Sequence, residues 1–145
     1  MNLTYLDTSA FLRALLEDAP DHASVVALLN DPNRRFISSE LLSLEAAGAA
    51  KRLASEDPSL ADFGSEAEAA LRSVELVRVN RTVFAAARAI PEVVKTLDAI
   101  HIATVELLDD RIDGVLTVDA TVTRVLAGRG VRVFPTGAGT TVHPS

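Results

Sequence analysis

The chain has 145 residues, of which 48% are hydrophobic and 23% charged, so it can form one domain with a substantial aliphatic core. It contains no cysteine, which excludes disulfides, zinc–thiolate sites and a cysteine nucleophile. The formal net charge of −6 argues against the basic surface of most nucleic-acid-binding proteins, without excluding such a function.

Other features that the sequence lacks exclude further classes of protein. The three histidines, His22, His101 and His143, are far apart in the sequence, so a histidine-based metal site is not expected. The sequence has no apolar run of about 18 residues, and its N-terminus lacks the basic-then-apolar pattern of a signal peptide. We therefore expect a soluble, cytoplasmic protein.

Short strand patterns alternate with helix patterns along the chain. Strands are predicted at about Leu3–Leu6, Arg35–Ser38, Val74–Val79, Val115–Val118 and Val131–Phe134. Helices are predicted at about Thr8–Leu16, His22–Asn30, Glu40–Ser55, Leu60–Ser73, Arg81–Ala89, Leu97–Leu108 and Ala120–Ala127. This alternation predicts an α/β protein, a three-layer α/β/α sandwich with a mostly parallel five-stranded sheet. One domain is expected over residues 1–135, and residues 136–145 are expected to form a flexible tail.

An aspartate stands at the end of the first predicted strand. Two hydroxyl residues, Thr8 and Ser9, follow Asp7 and lead into a helix. Open α/β sheets bind ligands at the carboxyl ends of their strands, which is where Asp7 lies, although an N-cap of the next helix explains it equally well. Asp119 follows the fourth strand in the same way, so a parallel sheet would bring the two aspartates to one edge.

Glu45 is the acid of the third helix that we expect to be functional. At 100° per residue, Glu40 lies about 140° around the helix from Glu45, so the two cannot line one site. Glu40 is in the first turn, where the helix dipole favours a negative charge. Glu45 instead has Leu44 and Ala46 beside it, and a charge in apolar surroundings is costly without a partner.

The helix that begins near Leu97 is apolar or small on nearly every side, which indicates that it is buried. Asp98, in its first turn, must then face a partner, a cavity or the positive end of the helix. Asp98 and His101 are three residues apart and so lie on one side of the helix. For His101 we prefer the interpretation of a packed or hydrogen-bonded core histidine.

Four carboxylates converging from separate elements would repel one another and raise their own pKa values unless a cation were bound. Oxygen-only ligation suits Mg²⁺ or Mn²⁺, and such ions activate water for phosphodiester hydrolysis. The sequence has no nucleophile elbow, phosphate-binding glycine loop or dinucleotide fingerprint. The residues therefore predict a metal-dependent phosphoryl-transfer or hydrolytic enzyme.

Four segments of the chain carry a resemblance to a known family. They are Leu6-Asp7-Thr8-Ser9-Ala10, Ser38 to Glu45, Leu97-Asp98-Ala99-Ile100-His101-Ile102-Ala103-Thr104 and Leu116-Thr117-Val118-Asp119. In order and spacing they resemble the PIN-domain ribonucleases and, more narrowly, the VapC toxins of type II toxin–antitoxin systems. The resemblance extends from about Asn2 to Pro135, and the segment from Leu97 is its most specific part.

The resemblance implies an endoribonuclease that depends on Mg²⁺ or Mn²⁺ and is held inactive by a cognate VapB-type antitoxin. It assigns the following positions to the acidic, metal-binding and catalytic quartet: Asp7, Glu45, Asp98 and Asp119. It assigns the supporting hydroxyls to Thr8, Ser9 and Thr117. It also implies a homodimer, and a heterotetramer or larger assembly with the antitoxin.

RNA contacts are the least defined part of this prediction. Arg13, Lys51, Arg52 and Lys95 are candidate phosphate ligands, of which Arg13 and Lys95 are preferred, although lone surface charges carry little information. The basic residue expected directly after Asp119 comes only at Arg124, a departure from the family pattern that bears on substrate contacts.

Two other interpretations remain open. Another acid-site phosphohydrolase, such as a haloacid-dehalogenase-like phosphatase, requires Asp-x-Asp after the first strand, and position 9 is Ser. A receiver domain, which belongs to the same class of acid-site proteins, requires an acidic pair before the first aspartate and a lysine after the fifth strand, and this sequence has neither. A catalytically silent PIN-like module for protein binding would be favoured by the loss of one of the four acids, and all four are present.

Overall fold

A five-stranded parallel sheet organises the protein. The computed structural model describes residues 1–135, so the predicted tail at residues 136–145 lies outside the described residues. The strands are β1 (Asn2–Leu6), β2 (Arg34–Ser39), β3 (Val74–Val77), β4 (Val115–Leu116) and β5 (Val133–Phe134). They lie in the order β3-β2-β1-β4-β5, and all four pairings are parallel.

Seven α-helices connect these strands within residues 1–135. They are α1 (Thr8–Leu15), α2 (His22–Leu29), α3 (Leu41–Glu56), α4 (Phe63–Leu71), α5 (Arg81–Arg88), α6 (Thr96–Leu108) and α7 (Ala120–Gly128). None of these helices is long and apolar enough to span a bilayer. The bounds agree with the sequence prediction to within one or two residues for most elements.

The clearest differences in bounds have local causes. The helix predicted from Leu60 begins at Phe63, because a short 3₁₀ turn at Pro58–Leu60 precedes it. The Asp57 carboxylate accepts from the Ser59 backbone N–H and stabilises that turn. β4 ends at Leu116, two residues before the prediction, and the chain then turns toward α7.

Side chains of neighbouring residues enter opposite faces of the sheet, as the two-residue period of a strand requires. On one face, Tyr5 and Val115 pack with buried residues of α6 and α7. On the other, Leu6 and Leu116 pack with buried residues of α1, α2, α3 and α4. Both faces of the sheet are therefore covered, which confirms the predicted three-layer α/β/α architecture.

The strand order produces a topological switch point between β1 and β4, and the region at the carboxyl ends of these two strands is called the crevice. The chain first builds β2 and β3 on one side of β1 and then returns to place β4 and β5 on the other. The connections that leave β1 and β4 therefore diverge at their carboxyl ends, and ligands of open α/β sheets bind at such switch points.

The chain is tightly packed around Gly114, at the start of β4. A Cβ there would lie 2.6 Å from the Arg132 carbonyl oxygen and 2.8 Å from the Phe134 ring. We expect Gly114→Ala to lower the free energy of unfolding in urea by about 1–3 kcal/mol, because the obstructing carbonyl is part of the backbone. Gly128→Ala is the matched control: a Cβ there meets nothing within 4 Å, so we expect unchanged or higher stability. Equal stability of the two variants would contradict the packing described here.

Candidate active site

Asp7 is held by hydroxyl groups rather than used as a helix cap. It directly precedes α1, but its side chain makes no capping hydrogen bond. Instead, the hydroxyls of Ser9 and Thr117 both donate to its Oδ2, at 2.6 and 2.8 Å. The side chain is almost completely buried. The N-cap interpretation of the Asp7 carboxylate is therefore wrong, and this carboxylate has an oriented position at the carboxyl end of β1.

The same two hydroxyls join the end of β1 to the segment that follows β4. The Ser9 oxygen accepts from the backbone N–H of Val118, and the Thr117 oxygen accepts from that of Asp119. Each hydroxyl thus donates to Asp7 and accepts from this segment. Asp119 in turn uses Oδ1 to accept from the Val122 N–H and cap α7. Asp7 and Asp119 are thereby linked through shared hydrogen-bond partners.

Glu45 reaches the crevice from α3 and is bound through one oxygen. Its Oε1 accepts from the Thr8 hydroxyl at 2.6 Å and lies 2.7 Å from Nε2 of His101. Burial acts to raise the pKa of Glu45, but the hydrogen bonds from His101 and Thr8 outweigh it and hold the pKa below its usual value. Glu40, by contrast, accepts from the Val79 backbone N–H, in agreement with its predicted structural role.

His101 is a buried, hydrogen-bonded histidine, as predicted, but its partner makes it part of the site. Its side chain is 2% exposed, with Nδ1 2.7 Å from the Tyr5 hydroxyl. Burial lowers the pKa of His101, and the hydrogen bond to Glu45 and the charge of Asp7 raise it by more. The contact with Glu45 was not predicted from the sequence; the only available signal was the three-residue spacing from Asp98.

The surroundings of Asp98 shift its pKa. It lies in the first turn of α6, and burial and the charges of Asp119 and Asp7 raise its pKa above the usual value. The charges of His101 and Lys95 act in the opposite direction. The contributions of Asp119 and Asp7 to this shift indicate that their carboxylates lie near that of Asp98.

The four acids have the ligand chemistry that a hard cation prefers, but their side chains are not arranged around one position. Asp7, Glu45 and Asp119 each have one oxygen bound by protein donors, and their second oxygen receives no hydrogen bond from residues 1–135. Carboxylate oxygens are the ligands that Mg²⁺ and Mn²⁺ prefer. However, no three Asp, Glu or His side chains in the described range are arranged so that they could already hold a metal ion. Binding one therefore requires side-chain adjustment.

The two preferred phosphate ligands differ in position. Lys95 directly precedes α6 and is near enough to Asp98 to affect its titration. Arg13 donates to the Pro20 carbonyl at 2.8 Å and lies 3.6 Å from the Asp21 carboxylate, in the turn after α1. Of the two, Lys95 is thus the one with a described interaction at the acidic crevice.

Several solved structures share this fold at low sequence identity. Mycobacterium tuberculosis VapC20, a Sarcin-Ricin loop cleaving toxin, is 16% identical, with a TM-score of 0.65 over 86% of this chain and 95% of that one. VapBC2 from Rickettsia felis, bound to a DNA fragment from its promoter, is 11% identical, with a TM-score of 0.64 over 90% and 96%. A toxin–antitoxin complex from Klebsiella pneumoniae is 18% identical, with a TM-score of 0.59 over 86% and 91%.

Comparison of the sequence itself gives the family. No curated protein matches the chain. The family model of the PIN domain matches residues 4–125, which includes the four acids and the three hydroxyl residues around them. With a five-stranded parallel sheet, an acidic crevice at its switch point and this match over most of its length, the chain belongs to the PIN-domain family.

Proposed function

We propose that this protein is a metal-dependent endoribonuclease and the toxin of a type II toxin–antitoxin system. The observation that carries the proposal is the hydroxyl-bound Asp7, at the carboxyl end of β1 and electrostatically coupled to Asp98. Membership of the PIN-domain family and the likeness of the fold to an RNA-cleaving VapC toxin support it.

In this proposal the four acids are the metal ligands and three hydroxyl groups support them. Asp7, Glu45, Asp98 and Asp119 hold Mg²⁺ or Mn²⁺, which supplies Lewis acidity and a lowered pKa for a bound water when present. Thr8, Ser9 and Thr117 keep one oxygen of Glu45 or Asp7 occupied, which fixes the direction of the other. Lys95 provides a positive charge for an RNA phosphate beside this cluster of negative charges.

We expect the protein to cleave RNA only when Mg²⁺ or Mn²⁺ is present, and Asp7→Asn and Asp98→Asn to lower kcat/KM by more than about 100-fold. Loss of a residue that merely supports a metal ligand costs about 10–100-fold, and loss of a ligand should cost more. The asparagine at position 7 can still accept from Ser9 and Thr117, so the fold is preserved. Cleavage of a mixed RNA pool with and without EDTA measures the effect.

Asp62→Asn is the control for this experiment. Asp62 is an exposed carboxylate at the start of α4 whose side chain makes no capping hydrogen bond, so its loss should leave cleavage unchanged. If the wild-type protein shows no metal-dependent cleavage of any RNA, the nuclease proposal fails and the protein is a PIN-like binding module.

The raised pKa of Asp98 predicts a stabilising mutation. Its ionised form is disfavoured in the fold, so stability falls as pH rises from the usual pKa of Asp, about 3.9, through the raised one, and remains lower above it. In EDTA at pH 7, Asp98→Asn should therefore melt at a higher temperature than wild type, and the difference should disappear near pH 3. Asp62→Asn again controls for net charge. A lower melting temperature of Asp98→Asn at pH 7 in EDTA would contradict the destabilisation of ionised Asp98 by burial and by the charges of Asp119 and Asp7.

Two partners follow from the proposed function. A VapB-type antitoxin would bind the acidic crevice through an Arg or Lys side chain, for which the cluster of carboxylates is complementary. A second copy of the chain is the proposed partner of an apolar surface formed by Leu44, Phe84 and Leu97, which are 69%, 50% and 43% exposed. They lie on α3, α5 and α6, the three helices that share the buried cluster of Leu41, Val83, Ile100 and Ala103.

We expect light scattering to give the mass of a homodimer, and Leu44→Lys with Phe84→Lys to give a monomer, because each buries a charge in the apolar contact. A monomeric wild-type protein at high concentration would contradict the dimer.

Expression of the chain alone should arrest growth, and co-expression of the small protein encoded beside it should relieve the arrest and yield a heterotetramer or larger complex. Growth unaffected by the chain would oppose the toxin role.

A further inference from the structure

His101 connects the interior of the sheet with the acidic crevice. Nδ1 of its ring faces the hydroxyl of Tyr5, a β1 residue that is fully buried. Nε2 faces Oε1 of Glu45 at 2.7 Å and, at 3.2 Å, the oxygen of Thr8. A single side chain on α6 therefore contacts β1, α1 and α3, the three elements that carry Tyr5, Thr8 and Glu45.

The available donors determine where the ring proton lies. The Thr8 hydroxyl gives its proton to Glu45, so toward His101 it can only accept. The Glu45 carboxylate likewise only accepts, at 2.6 Å from the Thr8 oxygen and 2.7 Å from Nε2. Nε2 must consequently carry a proton, in the neutral ring as well as in the charged one. On the other side, the Tyr5 hydroxyl donates to Nδ1 of a neutral ring and accepts from a charged one.

Both hydrogen bonds to the Glu45 carboxylate end on the same oxygen. Oε1 receives hydrogen bonds from Thr8 and His101, whereas Oε2 receives none from the described part of the chain. We propose that His101, backed by Tyr5, is a positioning residue that makes Glu45 present Oε2 alone to the cation. The inference rests on the proposed metal-dependent function and adds a residue pair to its site.

The same contacts set the separation of two of the proposed ligands. Asp98 lies on α6 three residues before His101, and Glu45 lies on α3. Because His101 bonds directly to Glu45, the two helices cannot shift relative to each other without breaking that bond. Polar groups buried this deeply impose a geometry, since each loses its partner if the arrangement changes.

Amide substitutions at position 101 test the role of Nε2. A glutamine can place its N–H close to the position of Nε2, whereas an asparagine, one methylene shorter, reaches only toward Nδ1. In a titration with Mn²⁺ followed by electron paramagnetic resonance, we expect His101→Asn to weaken binding about 10–100-fold, the usual cost of losing a residue that supports a metal ligand. The Mn²⁺ affinity of His101→Gln should remain within about threefold of wild type, because the glutamine N–H can still donate to Glu45.

His22→Gln is the matched control, because His22 lies on α2 and its Nδ1 contacts only the Arg13 carbonyl among the hydrogen-bond partners in residues 1–135. Its Mn²⁺ affinity should equal that of wild type.

Tyr5→Phe provides a second test if the position-101 variants fail to fold, because it keeps the ring and removes one hydroxyl. It should weaken Mn²⁺ binding about tenfold. In ¹⁵N-histidine spectra, Nε2 of His101 should be protonated in wild type.

The results separate the two proposals. Equal Mn²⁺ affinity of wild type, His101→Asn and Tyr5→Phe, or equal losses in the Gln and Asn variants, would overturn the positioning role. A wild-type protein that binds Mn²⁺ and cleaves no RNA would overturn the nuclease proposal, while the order of Mn²⁺ affinities would still decide whether His101 positions Glu45. Absence of any Mn²⁺ binding by wild type would overturn both.

Discussion

Repulsion among carboxylates is the constraint on which the crevice depends. Asp119 and Asp7 lie close enough to Asp98 to disfavour its ionisation, and carboxylates gathered in this way are unfavourable in a fold unless each is supported. The protein supplies this support through one oxygen of Asp7, of Glu45 and of Asp119, using hydroxyl, imidazole and backbone donors. Asp98 receives no such hydrogen bond from residues 1–135, and burial and the charges of Asp119 and Asp7 raise its pKa. An arrangement that concentrates negative charge in this way is suited to bind a cation.

The sheet provides the rigid base for this arrangement. β1 lies in the middle, with parallel neighbours on both sides, so the position of Asp7 is fixed by pairing with β2 and β4. Ser9 and Thr117 then bridge the two chain segments that leave the sheet at the switch point. Two helices carry the remaining acids: Glu45 lies on α3 and Asp98 on α6, and His101 joins these two helices.

Much of this could be predicted from the sequence, because its main signals are local. The alternation of strands and helices gave a parallel three-layer fold, and the carboxyl-end rule placed Asp7 and Asp119 at one edge. The contact between His101 and Glu45 depends on how α6 packs against α3, across 56 residues of sequence. No local pattern encodes that distance, so His101 was predicted only to have some hydrogen-bond partner. For Asp7, a cap and a site residue look alike until the positions of Ser9 and Thr117 are known.

We propose that carboxylates from separate elements share one cation, and a crystal structure of the protein with Mn²⁺ would show whether they do. We expect an anomalous scattering peak in the crevice, with oxygens of Asp7 and of at least two of Glu45, Asp98 and Asp119 about 2.0–2.3 Å from the ion or joined to it through a bound water. No peak at saturating Mn²⁺, or a peak away from Asp7, would contradict it.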